Sequence, residues 1–202
     1  MKVTVSVAST VAQRRQAFAL LYQIYLSAFG VDLKKLKKLF PFDFRSVVLV
    51  VKDEAGRLLG TASLMYPHDI FFPTEYLFGA TIRQDGVHLP LLESVEVGRL
   101  AQVEDAPKGL VTRAIMLAVA AYLKKEGLAG WVATVKPTMK RIIENTGVES
   151  VLFETYIEER NAAKALIVKR YKGDKIVSFW ASTESTIVAF ERLVSEDIVV
   201  EI

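Results

Sequence analysis

Glu96 and Arg99 stand inside SVEVGRLAQ (94–102), a run whose alternating apolar residues read as a central strand. Charge in such a strand is costly unless it is paired or put to use. A carboxylate there suits a base, and a guanidinium suits an anion clamp or a group that orients the carboxylate. A structural ion pair beside a bulge explains the same letters, so both readings stand. A free glutamate titrates near about 4.3, and Glu96 works as a base only if burial raises it or a water intervenes. In a regular strand, residues three apart face opposite ways. The two charges share a face only if the ladder is broken between them, and Gly98 is well placed for a β-bulge. A bulge splays the strand and opens a slot beside the buried run GWVATV (130–135), where an extended ligand could bond free backbone groups as an added strand does.

Beyond that strand, APKGLVTRA (106–114) brings a glycine, free amides and a helix start together, the ingredients of a phosphate cradle that many helices also carry idly. The helix runs from Leu110 to Glu126 and closes on Lys124, Lys125 and Gly127. Upstream, Val3 to Val7 reads as a strand, and Thr10 with Gln13 makes a capping box for a helix ending at Gly30. Phe18, Leu21, Tyr22, Tyr25 and Phe29 form an aromatic stripe along it. DLKKLKKLF (32–40) sets Leu33, Leu36 and Phe40 against Lys34, Lys35, Lys37 and Lys38. Those lysines are either a docking face for an acidic partner or a phosphate backbone, or a solvated helix face. Ser46 to Lys52 and Leu58 to Tyr66 form a hairpin around Asp53 to Gly56.

Residues 67 to 91 read as irregular but carry Phe71, Phe72, Tyr76 and Phe78, too apolar for a solvent loop of that length. They line or cover a pocket, or form a satellite core. After GWVATV, Pro137 opens a helix that Asn145-Thr146-Gly147 stops. Three strand-like runs follow, Val151 to Tyr156, Ala165 to Tyr171 and Ile176 to Ala181, and a last helix starts near Ser182 or Thr183 and presents Ile187, Phe190 and Leu193. The expected fold is a single α/β domain over 1–202, α+β-like, with a mixed, mostly antiparallel central sheet, a splayed central strand and helices on both faces. Trp131 and Trp180 are assigned to packing.

Composition narrows the function classes. The longest uncharged apolar stretch, Ala114 to Leu123, is about half of the roughly 20 residues a membrane span needs. MKVTVSVAST alternates like a strand and lacks the layout of a signal peptide, so a cytoplasmic location is expected. The absence of cysteine removes disulfides and thiolate chemistry. His68 and His88 make no ligand pattern, and no metal is expected. The net charge of +3 is too small for nucleic acid without a concentrated basic face, and no nucleic-acid partner is expected.

In order, the hairpin, EVGRLAQ, the glycine loop, the helix ending KKEG, GWVATV and PTMKRIIENTGVE resemble the GNAT acyltransferase superfamily over roughly residues 10 to 156. RRQAFALLYQIYL together with EVGRLAQ is similar to the branch of N-acyl amino acid synthases and acyl-homoserine-lactone synthases. The resemblance implies long-chain acyl transfer from acyl carrier protein, or from acyl-CoA, to a small-molecule amine, with no tightly bound cofactor. It casts Glu96 as base and Arg99 as holder of an amino acid carboxylate. Amides of Leu100, Ala101 and Gln102 become oxyanion donors, with Lys108, Gly109 and Leu110 at the donor's phosphates. Phe71, Phe72, Tyr76 and Phe78 become an acyl-chain tunnel, and the lysines at 34, 35, 37 and 38 a carrier dock. Three departures matter. Gly109 is followed by Leu110 and Val111 where a second glycine is usual, Ile143 stands where many acetyltransferases place a general-acid tyrosine, and the first helix lacks the arginine and tryptophan usual in the lactone synthases. An autoinducer synthase and a GNAT-shaped binding domain without catalysis are the alternatives.

Overall fold

The structure is a computed structural model and describes residues 1–35, 44–69, 71–78, 88–153 and 176–202. The expected strand 165–171 lies outside these residues, as do the end of the run 151–156, Lys37, Lys38 and the side chains of Phe29 and Phe78.

The chain forms β1 (Val3–Val7), α1 (Val11–Phe29), β2 (Ser46–Asp53), β3 (Leu58–Met65), α2 (Pro73–Phe78), β4 (Ser94–Gln102) and α3 (Leu110–Lys125). It continues through β5 (Gly130–Val135), α4 (Pro137–Glu144), β6 (Val151–Phe153), β7 (Val177–Ser182), α5 (Thr183–Glu191) and β8 (Ile198–Glu201). The eight strands make one sheet in the order β6-β7-β5-β4-β3-β2-β1-β8. Only β4–β5 and β1–β8 are parallel.

Local chemistry fixes most boundaries. Thr10 Oγ1 accepts the Gln13 N–H while the Gln13 side chain accepts the Thr10 N–H, so two orphan donors of α1 are satisfied at once. At the other end Gly30 takes the left-handed conformation, φ 64°, and its N–H returns to the Leu26 carbonyl. Ser182 caps α5 by accepting the Ser185 N–H.

The sheet separates two apolar layers. Helix α3 is buried along most of its length and packs with Phe190 of α5 against Leu64, Val95, Trp131 and Phe179. On the opposite face, Leu21 and Tyr25 of α1 pack with Val31, Leu33 and Ala101. Gly60 lets α3 come close, because a side chain there would collide with Val111 in the first turn of that helix. The β4–α3 loop is thereby held against the end of β3, and Arg57 of the hairpin turn bonds both carboxylate oxygens of Asp105 within it at 2.5 Å.

Residues 67 to 91 are not wholly irregular. They contain α2, and Leu91–Glu93 form a single 3-10 turn that delivers the chain to β4 at Ser94. Glu75 supports α2 by accepting the Phe72 N–H at 2.8 Å. The parallel partnership of β8 with β1 was not read from sequence either, because Ile198–Glu201 is short and flanked by charge.

Candidate active site

Strand β4 starts as a regular parallel partner of β5, with Ser94, Val95 and Glu96 opposite Gly130, Trp131 and Val132. There the β4–β5 ladder stops, while β5 continues to pair with β7 as far as Val135. On its other side β4 stays joined to β3, but the register slips: Ser63 faces Gly98 and Thr61 faces Ala101, so Ala62 stands opposite two residues. The bulge is present as the sequence suggested, one residue later than expected. Arg99, not Gly98, takes the left-handed conformation, at φ 54°. A β-carbon at Gly98 would lie 2.9 Å from the Met65 Cε, the flexible tip of that side chain, and 3.9 Å from Glu96 Oε1.

The slip reverses the strand's facing. Val95 and Val97 belong to the layer under α3, and strict alternation would put Ala101 with them, yet Ala101 packs against α1. Glu96 and Arg99 are thus brought onto one cavity. That cavity has a volume of about 640 Å³ and passes through the sheet at the splay. Phe18, Leu21 and Tyr25 line it on one side, and Ile115, Val119 and Ile143 on the other.

Glu96 is 6% exposed and accepts the Thr74 N–H at 2.8 Å. Burial pushes its pKa up to about 8, opposed by the Thr74 hydrogen bond and the positive charge of Arg99, and assisted by the nearby Glu75 carboxylate. The condition for a glutamate base near neutral pH is therefore met by burial. Arg99 is exposed and also borders a second cavity of about 550 Å³, whose described lining includes Arg14, Arg15 and Lys34 but no carboxylate.

The remaining sequence candidates fall into place unevenly. The Val103 N–H bonds the Leu59 carbonyl at 2.9 Å, and main-chain groups alternate in direction along a strand. The Ala101 amide is accordingly turned to β3, while those of Leu100 and Gln102 face the β5 side, into the slot. Gly109 opens α3 at φ 77°, and α3 has no side-chain cap. The Leu110 N–H is already used by the Pro107 carbonyl, which leaves the next amides of the first turn. Lys108 is exposed beside them.

The aromatic cluster does not line the through-sheet cavity among the described residues. Phe72 is fully buried with Leu91, Val132 and Phe153, Phe71 is 48% exposed, and Tyr76 lies apart from the cavity. The lining comes from α1, α3 and α4 instead, which sequence periodicity shows only as core stripes. Lys34 lies over the Tyr22 ring at 4.8 Å and borders the second cavity, and Lys35 is exposed. Trp131 and Trp180 pack as expected, each donating its indole N–H, to Thr186 and Ser94 respectively. Thr74 and Thr134 were not singled out from sequence, since nothing in a lone threonine signals a link across a sheet.

The sheet order, the bulge and the splay between parallel β4 and β5 define the GNAT-type acyltransferase fold, in the form shared by acyl-homoserine lactone synthases and N-acetyltransferases. The CoA-dependent acyl-homoserine lactone synthase BjaI, solved with SAM and isopentyl-CoA, superposes with a TM-score of 0.63 at 14% identity, covering 99% of this chain and 93% of that one. The acyl-homoserine lactone synthase LasI gives 0.57 at 12% identity, over 99% and 97%. A putative N-acetyltransferase from Lactobacillus plantarum gives 0.56 at 13%, over 91% and 99%. No sequence-family model and no curated protein matches the chain. Among the described residues no helix is long and apolar enough to cross a membrane.

Proposed function

We propose that this protein is an N-acyltransferase that moves a long-chain acyl group from a thioester to the amine of an amino acid or related small molecule. The observation that carries the reading is a buried glutamate whose pKa is raised to about 8, set in an apolar cavity at the point where β4 and β5 separate. The donor's extended arm lies in the slot between β4 and β5 and bonds the main-chain groups that the broken ladder leaves there. Its phosphate sits at the start of α3, near Lys108 and Gly109. The acyl chain passes through the sheet toward Ile115, Val119 and Ile143, and the volume is in the range of ordinary small-ligand sites.

Ionised Glu96 takes the proton of the acceptor ammonium, directly or through a water, and frees the amine for attack on the thioester carbonyl. The slot-facing amides of Leu100 and Gln102 stabilise the oxyanion. The tetrahedral intermediate collapses, the C–S bond breaks, and the leaving thiolate takes up the proton that the attacking nitrogen sheds as it becomes the amide. Arg99, with the cation-lined second cavity behind it, holds the acceptor's carboxylate. Acyl carrier protein and acyl-CoA are the two candidate donors, and the solved complex of BjaI with isopentyl-CoA is an argument for the second.

The test is mass spectrometry of lipid extracts from cells overproducing the protein, compared with cells producing Glu96→Gln. A new N-acyl amine that disappears in the variant supports the reading and identifies both halves of the product. No new species from abundant folded protein counts against it. Labelled methionine, if it enters the product, selects the autoinducer-synthase alternative.

A further inference from the structure

In helix α2 the sequence marks Tyr76 and Phe78, yet a different residue reaches both sides of the slot. Thr74 is fully buried at the second position of the helix, where its N–H has no partner within the helix. That N–H donates to Glu96 Oε2 on β4 at 2.8 Å. Its hydroxyl bonds the Thr134 hydroxyl on β5, which in turn lies 2.6 Å from the hydroxyl of Ser178 on β7. Thr134 is two residues past the last β4–β5 pair and lines the same cavity as Glu96, whereas Thr74 is not among the lining residues. The two strands have ceased to bond each other at this level, and a single threonine joins them.

We propose that Thr74 is a positioning residue for acyl transfer: its main chain holds the carboxylate of β4 and its hydroxyl holds the facing edge of β5, fixing Glu96 relative to the opposite wall of the slot. The claim about transfer rests on the acyltransferase reading. The claim about the link between strands does not.

The experiment therefore has two arms, using Thr74→Val, which keeps the shape and the N–H but removes the hydroxyl, and Thr74→Ser, which restores it. In the first arm, protein labelled with 13Cδ-glutamate is titrated by NMR, and the Glu96 resonance is identified by its loss in Glu96→Gln. The groups facing Glu96 are Glu75 on α2 and Arg99 on β4, with Tyr25 of α1 and Lys136 after β5 on the same cavity, and none of them is substituted in either variant. Without the hydroxyl link α2 is less firmly held, the Thr74 N–H bond to the carboxylate weakens, and the Glu96 midpoint rises by about half a pH unit or more. Thr74→Ser returns it to the wild-type value. An unchanged midpoint in Thr74→Val overturns the proposal.

In the second arm the N-acyl amine made by overproducing cells is quantified. Thr74→Val lowers it roughly tenfold or more at equal protein level, and Thr74→Ser recovers it. Product unchanged in Thr74→Val also overturns the proposal while leaving the acyltransferase reading intact. If wild type makes no product, that reading fails and the titration alone decides the link. Should Thr74→Val not fold, Thr134→Val removes the same bond from β5 and is judged by the same outcomes.

Discussion

Glu96→Gln should make the protein's stability less dependent on pH. In the unfolded chain Glu96 loses its proton near 4.5, and in the folded protein only near 8. Between those values the folded state binds more protons than the unfolded one, so stability falls as pH rises. This contribution is fully present below about 4.5 and is lost as pH passes through about 8. A shift across that window, at about 1.4 kcal/mol per pH unit, sets a ceiling of roughly 5 kcal/mol. Water entering the cavity lowers it, and we expect about 2 to 5 kcal/mol. Glutamine keeps an oxygen to accept the Thr74 N–H and cannot ionise. Urea denaturation followed by circular dichroism at pH 5, 7 and 9 measures both proteins. The stability of wild type minus that of Glu96→Gln should decline by this amount from pH 5 to pH 9. A difference that stays flat would show that Glu96 ionises without penalty, and the raised pKa would be wrong.

Two further substitutions test the surroundings. Gly98→Ala sets its new methyl against the flexible tip of Met65 and in contact with Glu96, and should cost about 1 kcal/mol or less in a denaturant melt. It should reduce N-acyl amine formation more than that stability loss explains, and full activity would show that Gly98 does not shape the site. Ile143→Trp fills the α4 side of the cavity. Product mass spectra should shift to shorter acyl chains, whereas an unchanged chain distribution would place the chain elsewhere.

Much of the fold is legible in the sequence because local chemistry decides it. The Thr10 and Gln13 capping box, Gly30, Pro137 and the short apolar run 130–135 each determine an element through residues only a few positions apart. The bulge was also legible, because two charges three apart in an apolar strand needed a common face. Its position was off by one. Glycine is the usual holder of a left-handed residue, yet here that conformation falls on its neighbour Arg99, an arrangement that only the folded sheet creates. The through-sheet cavity is lined by residues that the sequence did not single out, for a similar reason. Phe71, Phe72 and Tyr76 are conspicuous in sequence, whereas Ile115, Val119 and Ile143 look like any core stripe until the splay exposes their tips to a common space. Thr74 is the extreme case, since it matters only through partners 22 and 60 residues away.

The central claim is that Glu96 at the splay drives acyl transfer, and thiol release by the purified protein tests it most directly. Acyl-CoA and acyl-acyl carrier protein of graded chain length are supplied with a mixture of amino acids, and free thiol is followed from pH 6 to 9. We expect amine-dependent thiol release that rises with pH through about 8, as Glu96 ionises, and is abolished in Glu96→Gln. Amine-dependent release at the wild-type rate in Glu96→Gln would contradict the account.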